Sequence, residues 1–125
     1  MPEPDVHEGS CHCGAVRFRV RVRAYEAVEC NCSICTKKGF LHLIVPPEDF
    51  ELLTGEQALE TYTFNTGIAK HRFCRCCGLH PFYTPRSHPH RVDVNVRCLD
   101  ESLTPRFRVV PFDGQNWEQN IDQLR

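Results

Sequence analysis

Seven of the nine cysteines fall into three short groups whose spacing is typical of metal ligands. The groups are Cys11-x-Cys13, Cys30-x-Cys32-x-x-Cys35 and Cys74-x-x-Cys77. Two thiolates one or two residues apart can hold one ion from a single turn. A structural zinc takes four protein ligands, whereas a catalytic zinc usually takes three and keeps one position open. The two pairs therefore predict one structural zinc, and the triplet predicts one catalytic zinc.

A different grouping of the cysteines stays open at this level. Cys11, Cys13, Cys30 and Cys32 could form one local site, which would leave Cys35 and the last pair without a shared ion. We expect the four-plus-three partition because it uses every clustered cysteine. A disulfide scaffold is not expected, because nine is an odd number and clustered cysteines in a reducing compartment more often hold metal. The remaining Cys76 and Cys98 are expected to be free buried thiols.

The charge of the triplet Cys30, Cys32 and Cys35 predicts its chemistry. Zn²⁺ held by three thiolates carries a net negative charge, so it is a weaker Lewis acid than zinc held by neutral histidines. It remains suited to one more soft ligand, and a coordinated thiol is deprotonated. We therefore expect a small thiol as the ligand, with glutathione as the abundant cytosolic candidate. Lys37 and Lys38 follow the triplet directly and would offset its negative charge.

Length and composition indicate one domain over residues 1–125 with an ordinary globular composition. The formal net charge of −1 gives no whole-chain sign of binding to nucleic acid or to an anionic membrane. No apolar run approaches the roughly 20 residues of a membrane span. The segment Met1–Glu8 is polar and acidic and lacks the features of a secretory signal, so a cytoplasmic location is expected.

Short strands must position these groups. Val16, Phe18, Val20 and Val22 alternate with four arginines in residues 15–24, which predicts a half-buried strand. Further strands are expected at residues 41–45, 59–64, 70–73, 92–98 and 107–110. One helix is predicted at Trp117–Leu124, with Asn116 as its cap. The pattern predicts a mainly β fold with a short C-terminal helix, in which the cysteine groups lie at strand ends and turns.

Three motifs in this order resemble glutathione-dependent formaldehyde-activating enzymes. They are Gly9-Ser-Cys-His-Cys-Gly14, Cys30-Asn-Cys-Ser-Ile-Cys35 and Phe73-Cys-x-x-Cys-Gly78. The segments Thr61–Thr66, Phe82–Ser87 and Cys98–Asp100 are similar to the centromere protein V branch of that family. The resemblance extends from about Gly9 to Asp100. After Gly78 the chain departs from the formaldehyde-activating pattern, because Leu79-His80-Pro81 replaces a stretch of small residues.

The resemblance implies a β-tent fold of several short antiparallel sheets with two zinc ions per chain. It implies that Cys11, Cys13, Cys74 and Cys77 hold the structural ion and that Cys30, Cys32 and Cys35 hold the catalytic one. The implied reaction joins glutathione, or another small thiol, to a small aldehyde. With formaldehyde it gives S-hydroxymethylglutathione, and its reverse is a carbon–sulfur lyase step. The chromatin and microtubule partners of centromere protein V are not carried over, because they are linked to a long N-terminal extension.

Other residues have two interpretations each. Arg17, Arg19, Arg21 and Arg23 could contact nucleic acid, but the neutral overall charge favours a solvated face at a sheet edge. Arg86 could bind a glutathione carboxylate or could stiffen the proline-rich loop through backbone carbonyls. Histidines 12, 42, 71 and 80 are expected at the surface or in hydrogen bonds. The alternative function is a zinc-stabilised module that binds protein or nucleic acid without catalysis, and a closed second site would favour it.

Overall fold

The computed structural model describes residues 5–100 and 103–123, in which ten strands form two sheets. The strands are β1 (Asp5–Ser10), β2 (Arg17–Val22), β3 (Glu26–Cys30), β4 (Leu41–Val45), β5 (Phe50–Thr54), β6 (Leu59–Tyr62), β7 (Lys70–Cys74), β8 (Phe82–Thr84), β9 (Val92–Asn95) and β10 (Arg108–Phe112). Two short helices, α1 (Ser33–Lys38) and α2 (Trp117–Asn120), accompany them. The predicted mainly β fold with a short C-terminal helix is confirmed.

The small sheet has the order β1-β2-β5, and the large sheet has the order β10-β3-β4-β9-β8-β7-β6. Neighbouring strands are antiparallel apart from β3 and β10, which are parallel. The large sheet therefore brings residues that are far apart in sequence onto adjacent strands. Neither helix in the described ranges has the length and apolar character needed to cross a lipid bilayer.

Strand β4 shows how the large sheet uses its two faces. Leu41, Leu43 and Val45 point into the main hydrophobic core, where they pack with the apolar side of β2. His42 and Ile44 alternate with them, so they lie on the opposite face. Both residues line a cavity on that face. Alternate apolar residues of β4 thus belong to the core, and the residues between them line the cavity.

One strand has the predicted bounds, and the other predicted strands differ from the observed ones at one or both ends. Residues 41–45 form β4 as predicted, whereas β9 ends at Asn95. The Asn95 side chain accepts a hydrogen bond from the Arg97 N–H, which starts a turn of 3₁₀ helix at Val96–Cys98. Strands β1, β3, β5 and β8 were not predicted, because apolar and polar residues alternate little in them. Leu124, the last residue of the predicted C-terminal helix, lies outside the described residues.

The prediction that the arginine strand forms a sheet edge is wrong. Strand β2 is the central strand of the small sheet, between β1 and β5. Arg17 pairs with Asp100 at 2.7 Å, and Arg19 pairs with Glu8 at 3.2 Å. Arg23 donates to Asp49 at 2.7 Å, and this pairing lowers the pKa of the Asp49 carboxyl. Carboxylates of neighbouring segments therefore pair with three of the four arginines of this face.

The expected capping role of Asn116 is also not found. Asn116 occupies the cap position of α2, but its side chain makes no capping hydrogen bond to the helix. Its amide donates instead to Asp113 at 2.7 Å. Asn116 therefore stabilises the loop before α2 rather than the first turn of the helix.

Candidate metal centres and the adjoining cavity

The first cysteine cluster joins two distant turns. The sulfurs of its four cysteines lie within 4.8 Å of one another, and the cluster consists of Cys11, Cys13, Cys74 and Cys77. Cys13 Sγ lies 3.7 Å from Cys11 Sγ and 3.6 Å from Cys74 Sγ. In a zinc site with Zn–S distances of about 2.3 Å, the edge of the tetrahedron is about 3.8 Å. The sulfur spacing therefore fits a four-thiolate zinc site.

Backbone groups support this cluster. The N–H of Val16 lies 3.3 Å from Cys11 Sγ. Burial opposes ionisation of Cys77, but the backbone N–H groups of Leu79 and Cys13 lower its pKa to about 6. Gly14 and Gly78 close the two turns with φ values of 82° and 76°, a conformation that glycine adopts without steric cost. The turns thus hold the sulfurs in a form ready to bind a cation.

Apolar side chains surround the first cluster. Cys11 and Cys74 are buried and belong to a second hydrophobic core with Val16 and Phe82. Cys98 is buried nearby as a free thiol, as predicted, and burial raises its pKa to about 12. Cys76, by contrast, is exposed, so the expectation that it is buried is wrong. It follows Arg75 in the turn and points away from the core that holds its neighbours.

The second cluster is the triplet Cys30, Cys32 and Cys35, whose sulfurs also lie within 4.8 Å of one another. The local alternative that pairs Cys30 and Cys32 with the N-terminal cysteines is therefore wrong. Cys30 ends β3, and Cys32 is the N-cap of α1, where its sulfur accepts from the Cys35 N–H at 3.4 Å. The spacing of the cysteines predicted only a turn here. This short helix is what folds the third cysteine back toward the first two.

The three thiols share protons unequally. Contacts with Cys30 and Cys35, and then the backbone N–H groups of Cys35 and Ile34, hold the pKa of Cys32 well below its usual range. Contacts with Cys30 and Cys32, followed by burial, raise the pKa of the Cys35 thiol. The triplet thus stabilises one thiolate and still carries protons. A divalent cation that binds to such a group displaces the protons and leaves three thiolates.

The loop at residues 113–115 covers one side of the triplet. The Asn31 side chain donates to Asp113 at 3.0 Å and accepts from the Gln115 N–H at 2.9 Å. Gly114 is buried so closely against the triplet that a Cβ there would lie 2.3 Å from Cys30 Sγ. Gly114 was not predicted to belong to the site, because Asp113-Gly114 has the sequence of an ordinary turn. Its separation from Cys30 gives no sign of the contact.

A cavity of about 420 Å³ opens beside the triplet, and all three cysteines line it. Its apolar lining includes Val28, Ile44, Phe64, Phe112 and Trp117. Its polar lining includes His42, His71, Tyr83, Arg86 and Asp93. Concave sites of about 300–1,000 Å³ with a few convergent polar groups are typical of small-molecule binding. The second cluster is therefore accessible to a ligand on this side.

Lys38 supplies positive charge near the triplet, as predicted, whereas Lys37 is exposed. The Lys38 Nζ lies 3.1 Å from His71 Nδ1 and 4.6 Å from the centre of the Tyr83 ring. Burial lowers the pKa of Lys38, and the negative charge of the cysteine triplet and of Asp93 opposes this shift. Burial, followed by the charge of Lys38, lowers the pKa of His71 to about 4. His71 is thus neutral and accepts a hydrogen bond from the ammonium group.

Arg86 lies at the rim of the cavity. Its guanidinium stacks on the Trp117 ring at 3.6 Å and donates to Glu118 at 2.7 Å. Glu118 itself is largely exposed, with 78% of its side-chain surface accessible. The Trp117 ring therefore holds the guanidinium of Arg86 in place. A ligand carboxylate can replace the exposed Glu118 carboxylate as its hydrogen-bond partner.

His42, Asp93 and Tyr83 form a buried polar group in the cavity wall. The His42 Nδ1–H donates to Asp93 Oδ2 at 2.6 Å, and the Tyr83 hydroxyl lies 3.4 Å from the same nitrogen. His42 was expected at the surface or in a hydrogen bond, and Asp93 was not predicted to belong to a site. In the described part of the chain, no histidine belongs to either cysteine cluster.

Comparisons with known proteins agree with the sequence resemblance. Residues 6–113 match the profile of the family described as "Glutathione-dependent formaldehyde-activating enzyme". A curated protein of Halomonas elongata, provisionally named as such an enzyme, is 64% identical over 106 residues, which cover 77% of this chain and 67% of that protein. The crystal structure of a Rhodobacter sphaeroides protein matches with a TM-score of 0.75 and 35% identity, over 83% of this chain and 97% of that one.

Proposed function

We propose that this chain, which belongs to the family of glutathione-dependent formaldehyde-activating enzymes, is a zinc-dependent carbon–sulfur lyase. Its reaction would form and cleave the carbon–sulfur bond of S-hydroxymethylglutathione. The observation that carries the proposal is the triplet of cysteine sulfurs, which lie within 4.8 Å of one another in the wall of a cavity. We further propose that the reaction takes place in the cytoplasm, where glutathione is abundant.

The two clusters would hold two zinc ions in different roles. Cys11, Cys13, Cys74 and Cys77 would hold a structural ion, because four sulfurs complete its coordination. Cys30, Cys32 and Cys35 would hold the catalytic ion and leave one position toward the cavity. When bound there, zinc supplies a position that takes a thiol and keeps it deprotonated.

The cavity would orient the rest of glutathione. Its apolar wall would bury the cysteinyl methylene of the tripeptide, and Arg86 would bind one of its carboxylates as a planar two-point donor. A second cavity, of about 750 Å³, shares Ser33, Ile34 and Phe64 with the first and is lined by Lys37 and Lys38. The lysines in the second cavity would suit the other carboxylate of the tripeptide.

The reaction needs little from the protein beyond position and charge. The thiol sulfur attacks the carbonyl carbon of formaldehyde, a carbon–sulfur bond forms, and the π electron pair moves to the oxygen, which then takes a proton. Holding both reactants in contact converts a bimolecular step into an effectively unimolecular one. Lys38, close behind the triplet, would stabilise the negative charge of the thiolates.

Exchange spectroscopy of the glutathione–formaldehyde equilibrium tests this function. The intact protein should speed the interconversion of free glutathione and its S-hydroxymethyl adduct, and Cys32→Ser should abolish the acceleration. Cys76→Ser is the matched control, because Cys76 is an exposed cysteine outside both clusters. If the intact protein neither binds glutathione nor speeds the exchange, the proposed function is wrong for this substrate pair. Cysteine and γ-glutamylcysteine in place of glutathione then test other small thiols.

A further inference from the structure

The most unusual polar group in the large sheet is the pair His42 and Asp93. Both residues are buried, with 5% and 1% of their side-chain surface exposed, and they share a 2.6 Å hydrogen bond. Burying a carboxylate costs free energy that one hydrogen bond only partly offsets. The neighbouring core positions of β4 and β9 are Leu43 and Val94, so nothing in the packing of the core demands a charged group here.

The strand register explains how the pair forms. In the pairing of β4 with β9, His42 is opposite Asn95 and Ile44 is opposite Asp93. His42 and Asp93 are therefore diagonal neighbours on one face of the sheet. Tyr83 on β8 is directly opposite Asp93, which places its hydroxyl on the same face. Three adjacent strands thus contribute one residue each to the group.

The hydrogen bond to Asp93 leaves the other ring nitrogen of His42 available. His42 Nδ1–H donates to the carboxylate, so in the neutral ring Nε2 carries a lone pair. His42 Nε2 is buried and has no hydrogen-bond partner in residues 5–100 and 103–123. His42 lines the same cavity as the cysteine triplet. A buried acceptor without a partner is costly, and a ligand in the cavity would provide one.

We propose that His42 is the catalytic acid–base residue of this site, a role that rests on the proposed function. His42 Nε2 takes the proton that leaves the glutathione thiol. The sulfur then attacks the formaldehyde carbon, and the protonated Nε2 gives the same proton to the carbonyl oxygen as that oxygen becomes a hydroxyl. One proton leaves sulfur and one reaches oxygen, so the ring returns to its neutral form. In the reverse reaction, Nε2 removes the hydroxyl proton as the carbon–sulfur bond breaks.

Asp93 and Tyr83 are positioning residues in this scheme. The Asp93 carboxylate fixes the ring tautomer and stabilises the imidazolium while His42 holds the proton. Burial, and then the charge of Asp93, raises the pKa of the Tyr83 hydroxyl, which therefore keeps its proton. Together they hold the imidazole in one orientation against the cavity.

The test is His42→Ala with added imidazole. The shortened side chain leaves a space of imidazole size that opens to the cavity, so the free base can take the place of the ring. We expect the exchange rate to fall by about 100-fold or to the uncatalysed background. Imidazole should restore it by at least about tenfold, in a saturable manner. Glutathione affinity, measured by calorimetry, should stay within about threefold of that of the intact protein, because the thiol is bound elsewhere.

His71→Ala is the matched control. His71 is a buried histidine that lines the same cavity, but its Nδ1 is occupied by Lys38. Whatever this substitution does to the rate, imidazole should not restore it. Asp93→Asn should shift the tautomer of the His42 ring, which ¹⁵N chemical shifts of the imidazole report directly. A purely structural role of Asp93 would leave those shifts unchanged.

Every outcome decides the proposal. An exchange rate of His42→Ala within about threefold of the parent overturns it, and so does a lost rate that imidazole does not restore. If His42→Ala does not fold, His42→Gln replaces it, because the amide can still donate to Asp93 but cannot carry a proton. A folded His42→Gln with normal exchange overturns the proposal, and one with lost exchange and normal glutathione affinity supports it. If the intact protein shows no exchange, the proposed function fails first and the role of His42 falls with it.

Discussion

The two cysteine clusters are built in opposite ways. In the first, the contacting residues Cys13 and Cys74 are separated by 61 positions, and apolar side chains of a second core surround the cluster. In the second, all three cysteines come from one segment that ends β3 and begins α1, and a cavity lies beside them. One cluster therefore connects distant parts of the chain, and the other connects only near neighbours.

This difference separates stability from chemistry. An ion that joins distant segments closes a long loop, so its binding free energy becomes free energy of folding. An ion held within one short segment closes almost no loop, and it can be lost without separating the sheets. We therefore expect the first cluster to determine whether the protein folds and the second to determine whether it binds and turns over a ligand.

The largest expected effect is on stability. Cys77→Ser removes one ligand of the closed cluster and should lower the free energy of unfolding by about 4 kcal/mol or more, or prevent folding. Cys35→Ser should lower it by only about 1–2 kcal/mol. Thermal unfolding of both variants, with zinc content measured in each, checks this pair. Equal losses of stability would show that the triplet is structural too, which would favour the interaction-module alternative.

The next effect is on activity and comes from Gly114. In Gly114→Ala the new Cβ would meet Cys30 Sγ at 2.3 Å and Cys32 Cβ at 3.0 Å, so the triplet must shift. A displacement of this kind at a reacting centre can cost about 100-fold, and we expect at least a tenfold loss of exchange rate. The measurement is the exchange rate per folded molecule, together with the zinc content.

Gly9→Ala is the matched control for this substitution. Its Cβ would also clash, with the Cys98 carbonyl oxygen at 2.5 Å and with the Phe18 ring at 2.6 Å. Gly9 lies on β1 of the small sheet, whereas the triplet adjoins β3 of the large sheet. This variant should lose stability but keep its exchange rate per folded molecule. A similar rate loss in both variants would mean that crowding anywhere in the fold reaches the site.

The smallest expected effects concern Arg86 and have opposite signs. Glu118→Gln removes the exposed carboxylate that competes for Arg86, so glutathione should bind about two- to fivefold more tightly. Arg86→Lys keeps the charge but loses the planar donor pair, so glutathione should bind about tenfold more weakly. Calorimetric titration with glutathione and with its diethyl ester, which lacks the carboxylates, checks both. Unchanged affinity in both variants would assign Arg86 to loop structure alone.

The sequence was sufficient for the parts of this picture that depend on local spacing. The three cysteine groups, the alternation of β2 and the bounds of β4 could all be predicted from residue types at short separations. The short helix α1 was missed, because its cap is a cysteine rather than one of the usual capping residues. The arginines were placed at a sheet edge because alternation does not reveal which strands pair on either side.

The cavity could not be predicted for a related reason. Asp93 occupies a polar position of an alternating strand, where the simplest expectation is solvent exposure. Only the order β4-β9-β8 shows that this face is covered and that Asp93 meets His42 and Tyr83. Gly114 likewise has meaning only once the parallel pairing of β10 with β3 brings the loop onto Cys30. Both depend on long-range pairing, which residue spacing does not encode.

The most direct test of the account is zinc-edge X-ray absorption of the protein with and without glutathione. One site with four sulfurs and one with three give a mean of about 3.5 sulfur neighbours per zinc, and a bound thiol raises this mean to about 4. In the control variant Cys35→Ser, which should lose the open site, glutathione should cause no such rise. A mean that stays at about 3.5 with saturating glutathione, or that is already about 4 without it, would contradict the division into a closed and an open cluster.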